Sequence, residues 1–145
     1  MSTLDALLAA IVADPCEETR WLVLADWLQE NDQPDRAELL GLHRKMIATC
    51  LEPDAHPERA GWQARMVELL VAGVRPCVPQ ETLTLPGGVS MTFSFIPPGS
   101  FLMGSENGNS DERPVRLVAV DRALFLGTAS VTQAQWAAVM GTDPS

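Results

Sequence analysis

Few residues in this chain could do chemistry, and the three cysteines are the first to consider. Cys16, Cys50 and Cys77 lie far apart in the sequence, and no Cys-x-x-Cys spacing occurs. A zinc site or a disulfide framework needs closely spaced or paired cysteines. A soft copper(I) ion likewise needs two thiolates within reach. The pattern therefore predicts three reduced structural thiols, with no catalytic, cofactor-binding or metal-binding residue in the chain.

The two histidines, His43 and His56, are the other candidate ligands, and they stand alone. A lone histidine on a helix or in a proline-rich loop is usually a packing or solvent-facing residue, and we predict that role for both. Nucleotide binding and serine hydrolysis lack their motifs, because no Gly-x-Gly-x-x-Gly, Walker loop or Gly-x-Ser-x-Gly occurs.

An oxygen-rich segment at residues 106–112 could in principle hold calcium, which prefers carboxylate and carbonyl oxygens. Its acids do not have the spacing of an EF-hand, and Asn107 followed by Gly108 is a strong turn former. We favour an exposed loop over a calcium site.

The charge of the chain limits its partners. Among 145 residues the net charge is −9, and residues 1–73 alone hold thirteen acids and six bases. An acidic surface repels phosphate backbones and anionic lipid, so we expect no nucleic-acid and no membrane partner. No apolar run reaches the length of a membrane span and no basic secretory signal opens the chain, which predicts a cytoplasmic protein.

Helical periodicity dominates residues 1–73, and we predict four helices that form a small bundle. A capping box at Ser2 and Asp5 opens the first, over 3–13. Asp14 and Pro15 should start the second, to about residue 29. The third should run over 34–50 and the fourth from 57 to a C-cap at Gly73. The apolar stripes expected to be buried are Trp21, Leu24, Ala25 and Leu28, then Ala37, Leu40, Met46 and Ile47, then Trp62, Met66, Leu69 and Leu70. The charged residues expected to stay in water are Arg36, Glu38, Arg44 and Lys45.

Residues 74–81, with two prolines and little to bury, are predicted to be a linker. From residue 82 the pattern changes to short strands over 83–85, 89–95, 100–103 and 115–120, with turns at Gly and Pro. A second capping box at Thr132 and Gln135 should open a helix that Gly141 closes. The prediction is an α+β fold of a helical leader at 1–73, a linker at 74–81 and a second domain at 82–145.

The leader is similar to a short helical module at the N-terminus of many planctomycete multidomain proteins. The resemblance covers roughly residues 3–46 and centres on Ala25, Asp26, Trp27 and Leu28. That family has no activity to carry over. We favour a structural role for Asp26 and Trp27, with docking of an unknown protein partner as the alternative.

Residues 85–145 resemble the formylglycine-generating, or sulfatase-modifying-factor, family. Residues 95–105 read FIPPGSFLMGS, like the family's entry motif, and a polar loop then leads to ERP at 112–114. Residues 131–136 (VTQAQW), Met140-Gly141 and residues 143–145 (DPS) continue the pattern in order. Where many members carry His two residues after that proline, this chain has Arg116.

The resemblance implies a C-type-lectin-like fold and a parent protein that oxidises a substrate cysteine to formylglycine. In the family, two cysteines near the end of the domain bind copper and activate oxygen, and structural calcium is possible in the complete domain. Those cysteines would lie beyond Ser145, so we expect a truncated domain, no cofactor in this chain and no activity from it.

Two other functions stay open at this stage. The same fold also serves as a non-catalytic scaffold that displays loops for ligand or protein binding. The other alternative is that the leader is a docking module and the second half a decayed or prematurely ended gene. In a truncated domain, Phe93, Phe95, Phe101 and Leu117 should be partly exposed.

Overall fold

The computed structural model describes residues 2–51 and 56–142 and has an α+β fold, as the sequence predicts. Its helices and strands follow in two groups along the chain. Four helices come first: α1 (Thr3–Ala13), α2 (Glu18–Glu30), α3 (Pro34–Ala48) and α4 (Arg59–Val71). Strands and one helix follow: β1 (Gln80–Thr84), β2 (Ser90–Ile96), β3 (Gly99–Met103), β4 (Arg116–Val120), β5 (Leu124–Gly127) and α5 (Gln133–Met140). No helix in the described ranges is long and apolar enough to cross a membrane.

The start of α1 is the predicted capping box, in which Asp5 N–H donates to Ser2 Oγ and Ser2 N–H donates to the Asp5 carboxylate. The predicted start of α2 is wrong by three residues. Asp14 closes α1 instead, because its N–H donates to the Ala10 carbonyl, and Glu17 caps α2 by accepting from Thr19 N–H. The chain therefore turns over residues 14–17 before the second helix begins.

Helix α3 is packed on two sides, where the sequence predicted one stripe. Ala37 and Leu40 pack with α1 and α2, whereas Leu39 and Leu42 are buried with Leu69 of α4 in a separate cluster. Consecutive helices contact each other in chain order. Their buried side chains form two separate clusters, so the four helices do not surround a single core. Met46 and Ile47 at the end of the helix are only half-buried.

Two charged side chains predicted to stay in water, those of Arg36 and Arg44, are half-buried. Arg44 is 18% exposed and pairs with Glu18 of α2. Its guanidinium lies 4.9 Å from the ring centroid of Trp21, so a cation–π contact supports the ion pair. The ion pair joins α2 and α3.

Helix α4 begins at Arg59, two residues after the predicted Pro57. Gly73 follows its last turn with φ of +92°, and Val74 N–H donates to the Leu69 carbonyl, as expected for a glycine that ends a helix. Leu69 is buried, whereas Leu70 is exposed. Residues 52–55, between the predicted third and fourth helices, lie outside the described residues, as do 143–145 of the family pattern.

Two antiparallel sheets follow the helices. β1, β2 and β5 form one sheet with β2 in the centre, and β3 pairs with β4 in the other. The turn at Pro86–Gly88 joins β1 to β2, as Gly87 and Gly88 predict. The four predicted strands are confirmed within a few residues, but β5 was not predicted.

The segment predicted to be a linker with little to bury is instead part of the core. Cys77 is 3% exposed and joins the cluster of Ile11, Trp21 and Leu24, together with Phe95 of β2. Pro79 is also buried, and β1 already begins at Gln80. This short segment packs against the helices where the chain passes from α4 to β1. The helices and the first sheet therefore share one apolar cluster.

The predicted exposure of the apolar strand residues is correct in part. Phe101 and Leu117 are about half exposed, and Phe93 is half-buried. Phe95 is buried because the helical cluster covers it, and Phe125 packs edge-on against it with ring centroids 5.4 Å apart. The helices thus bury Phe95, a contact that the sequence did not predict.

Candidate functional site

The segment that carries the family resemblance forms a strand, a turn and a second strand. β2 ends at Ile96, the two prolines at 97 and 98 make the turn, and β3 begins at Gly99. β3 ends at Met103, and Gly104 follows with φ of +110°. A Cβ atom at Gly104 would overlap the carbonyl oxygen of Glu112, so only glycine fits where the loop returns to the strand.

The loop between β3 and β4 is held by its own hydrogen bonds. Ser105 N–H donates to the Glu112 carbonyl at 3.1 Å, and the Arg113 guanidinium donates to the Gly108 carbonyl at 3.1 Å. Asn109 Nδ2 donates to Glu112 Oε1, also at 3.1 Å. This exposed loop is therefore a closed, self-supporting turn, as favoured from the sequence.

Two of the three carboxylates of this loop, those of Glu106 and Glu112, already have protein partners. Glu106 accepts from the Val115 N–H at 3.2 Å, and Glu112 accepts from Asn109. A calcium site needs several oxygens turned inward on one point. Here the oxygens serve to close the loop. In the part of the chain that the structure describes, no three His, Cys, Asp or Glu residues form a group that could hold a metal ion.

The three cysteines occupy three different places in the fold. Cys16 is exposed in the turn between α1 and α2, Cys50 is half-buried after α3, and Cys77 is buried before β1. Burial raises the pKa of the Cys77 thiol, against a smaller opposing effect of the Arg36 guanidinium. A copper(I) centre needs two thiolates within reach, and these three cysteines lie in three different places in the fold.

The two histidines lie on different elements as well. His56 is exposed before α4 and has its ring 6.4 Å from that of Trp62. His43, on α3, keeps part of its surface in water. Surrounding protein atoms lower its pKa by displacing water from the ring, and the nearby Arg44 guanidinium lowers it further. His43 is therefore neutral at pH 7.

The predicted structural reading of Asp26 and Trp27 is confirmed for the tryptophan only. Trp27 is half-buried and packs against the cluster of Ile11 and Leu24. Asp26 is exposed, and its side chain forms no hydrogen bond or ion pair within residues 2–51 and 56–142. The expected capping or pairing role of Asp26 is therefore wrong.

The sequence did not indicate a groove that lies between the helices and the strands, with a cavity of about 430 Å³. One wall comes from α2, α3 and α4, and the other from residues 76–78 and strands β2 to β4. The helix wall is formed by Trp21, Leu39, Leu40, His43, Ile47, Met66 and Leu70, and the other wall includes Cys77, Val78, Phe95, Phe101 and Val120.

The lining of this groove is almost entirely apolar. No Asp, Glu, Lys or Arg belongs to it, and its polar side chains are His43, Cys77, Ser94 and Ser100. Ser94 Oγ accepts from Gln80 Nε2 at 3.0 Å, so that hydroxyl already has a partner. The groove was missed because its walls come from the two halves of the chain. The one sequence feature that pointed to the groove was the group of apolar residues on α3 and α4 that the helical clusters do not fully bury, such as Ile47 and Leu70.

Comparison with known proteins adds no relative. No model of a protein family, no curated protein and no solved structure matches this chain. Both resemblances described above therefore stay predictions.

Proposed function

We propose that this chain belongs to a protein of the formylglycine-generating, sulfatase-modifying-factor family, whose parent oxidises a substrate cysteine to formylglycine. In this proposal, residues 82–145 are the first part of a C-type-lectin-like domain. The chain supplies architecture, and the two copper-binding cysteines of the family lie elsewhere in the parent. The protein is proposed to be cytoplasmic, in keeping with three unpaired thiols.

One observation supports this proposal most directly: the residues that match the family pattern have backbone roles. Gly104 allows the return of the loop against Glu112, and the prolines at 97 and 98 make the turn between β2 and β3. Thr132 and Gln135 form the second capping box, and Gly141 ends α5 with φ of +70°. Residues that are needed for turns, caps and close backbone approaches are those that proteins with a common fold are expected to share.

The apolar faces of the strands and α5 are also in keeping with a domain that continues. Leu117 of β4 and Leu126 of β5 are 53% and 60% exposed, and Val139 of α5 is 63% exposed. Further strands of a family domain would pack on such surfaces. Large exposed apolar areas are uncommon on proteins that act alone.

The chain alone is proposed to be inactive in cysteine oxidation. The family reaction replaces the thiol of a substrate cysteine by an aldehyde and uses oxygen as the oxidant. The protein must supply two thiolates to the metal. Cys16, Cys50 and Cys77 lie in three separate places, so this chain does not fit that requirement.

The coding sequence downstream of Ser145 tests the family proposal. We expect it to encode a continuing domain with a cysteine pair, and the longer product to form aldehyde in a cysteine peptide, detected with a hydrazide probe. A continuation that lacks the cysteine pair, or a longer product that leaves the thiol intact, would argue against an oxidase.

The alternative is a non-catalytic scaffold that binds a ligand or protein through its loops. The observation that favours it is the closed, exposed loop at 104–115, whose shape is fixed by its own hydrogen bonds. A downstream sequence without the cysteine pair but with a second, aromatic-rich loop would favour this function. The helical leader is then proposed to dock a protein partner, for which Leu22 and Val23 of α2 offer exposed apolar side chains.

A further inference from the structure

The groove between the helices and the strands has the size of a small-molecule site. Its cavity of about 430 Å³ lies within the roughly 300–1,000 Å³ typical of such sites. Interiors of proteins are otherwise packed with few voids larger than a water molecule. Leaving an apolar groove in contact with water is unfavourable, so an apolar occupant would be stabilised there.

The walls of the groove are fixed relative to each other. Arg36 of α3 donates to the carbonyl oxygens of Arg75 and Pro76, at 3.0 and 3.4 Å, and Cys77 and Phe95 are buried in the cluster of the helices. A groove with tied walls is formed before a ligand arrives, and a preformed site loses less entropy on binding.

The chemistry of the lining selects the charge of the ligand. The lining has no Asp, Glu, Lys or Arg, and its single imidazole, His43, has a lowered pKa. An ionised ligand would lose its hydration without gaining a counter-charge, which is unfavourable. The Ser100 hydroxyl, which forms no hydrogen bond within the described residues, is available to one polar group of the ligand.

We propose that the groove bounded by Leu40, Ile47, Phe95 and Phe101 is a binding site for one neutral, apolar small molecule. The site uses both halves of the chain, including residues 95–101 of the segment that resembles the family's entry motif, but not the loop at 104–115. It does not depend on whether the parent is an oxidase or a scaffold, so each proposal can fail without the other.

A matched pair of fluorescent probes tests the proposal on the full chain. Phenylnaphthylamine is neutral, and anilinonaphthalene sulfonate has the same aromatic body with one negative charge. We expect saturable binding of the neutral probe with one site per chain, and at least about tenfold weaker binding of the sulfonate. No saturable binding of the neutral probe, or equal binding of both probes, would overturn the proposal.

Variants that fill the groove locate the site. Ile47→Trp on the helix wall and Ser100→Trp on the strand wall should each weaken the neutral probe by at least about tenfold. Leu51→Trp and Ser130→Trp add the same side chain at exposed positions outside the groove and should bind like the unmodified chain. Probe binding that is unchanged in folded groove variants would place the site elsewhere and refute the assignment.

Alkylation of Cys77 gives a measurement that needs no variant. Cys77 lines the groove, whereas Cys16 is exposed in the turn between α1 and α2 and is not part of the lining. Saturating neutral probe should slow the alkylation of Cys77 several-fold and leave that of Cys16 unchanged. Equal rates at Cys77 with and without the probe would contradict binding in this groove.

Discussion

Arg36 Nε donates to the carbonyl oxygen of Arg75 at 3.0 Å, and this bond ties helix α3 to the segment that leads into the strands. The same guanidinium reaches the Pro76 carbonyl at 3.4 Å and the side chain of Gln33. Because Cys77 follows directly and is buried, the arginine fixes the point at which the chain passes from helices to sheet.

Replacing this arginine should loosen that junction. Arg36→Met keeps much of the apolar stem and removes the donors, so we expect a loss of about 1–2 kcal/mol in the free energy of unfolding, measured with urea. Arg122→Met is the control, since Arg122 is exposed and forms no hydrogen bond in the described part of the chain. Equal stability of the two variants would show that the junction does not need Arg36.

Phe95 should matter to the helices as much as to the sheet. Its side chain is 3% exposed in the cluster of α1 and α2, so Phe95→Ala should cost about 3–5 kcal/mol. Phe101→Ala removes the same atoms from a side chain that is 46% exposed and should cost less than half as much. Unfolding of the helices is followed by circular dichroism. Helices that melt unchanged in Phe95→Ala would mean that the two halves do not share a core.

Two glycines with positive φ separate backbone strain from crowding. Gly87 has φ of +77° and open space around it, so Gly87→Ala should cost about 1–2 kcal/mol of strain alone. Gly104→Ala adds overlap with the Glu112 carbonyl and should cost about 3 kcal/mol or more. Thermal melting compares the two variants, and limited proteolysis should cut the 104–115 loop faster in Gly104→Ala. Similar losses in both would remove the argument for a close approach at Gly104.

The thiols should react in the order of their exposure. Iodoacetamide should modify Cys16 first and Cys77 last, as read by peptide mass spectrometry. Because burial raises the pKa of Cys77, its thiolate fraction near pH 8 is reduced, and its rate should continue to rise at a higher pH than in the urea-unfolded chain. A Cys77 rate that levels off at the same pH in the folded and unfolded chain would contradict the raised pKa.

The sequence predicted the elements with strong local signals. Both capping boxes and the glycine ends of α4 and α5 are where the pattern placed them, because these signals act within a few residues. The start of α2 was misplaced because Asp14 can serve as the end of one helix as well as the start of another. Strand β5 was missed because its four residues gain their structure from pairing with β2 and carry little pattern of their own.

Long-range features were beyond the sequence. Cys77 and Phe95 are buried in one cluster with Ile11, which precedes each of them by more than sixty residues. Contacts over such a distance leave no periodic pattern in the sequence around either residue. The groove has the same origin, since its two walls are distant in the chain. The turns within residues 95–105, in contrast, could be predicted from residue types. Pro97, Pro98 and Gly104 have the turn roles that their chemistry predicts.

We propose that residues 82–142 build architecture and that cysteine oxidation requires thiols outside this chain. The most direct measurement incubates the purified chain with copper, oxygen, a thiol reductant and a cysteine-containing peptide, and counts aldehyde with a hydrazide probe. A family enzyme with its own cysteine pair is the positive control. We expect the control enzyme to form aldehyde and this chain to form none. Aldehyde formed by this chain, and lost in a Cys77→Ser variant, would contradict the claim.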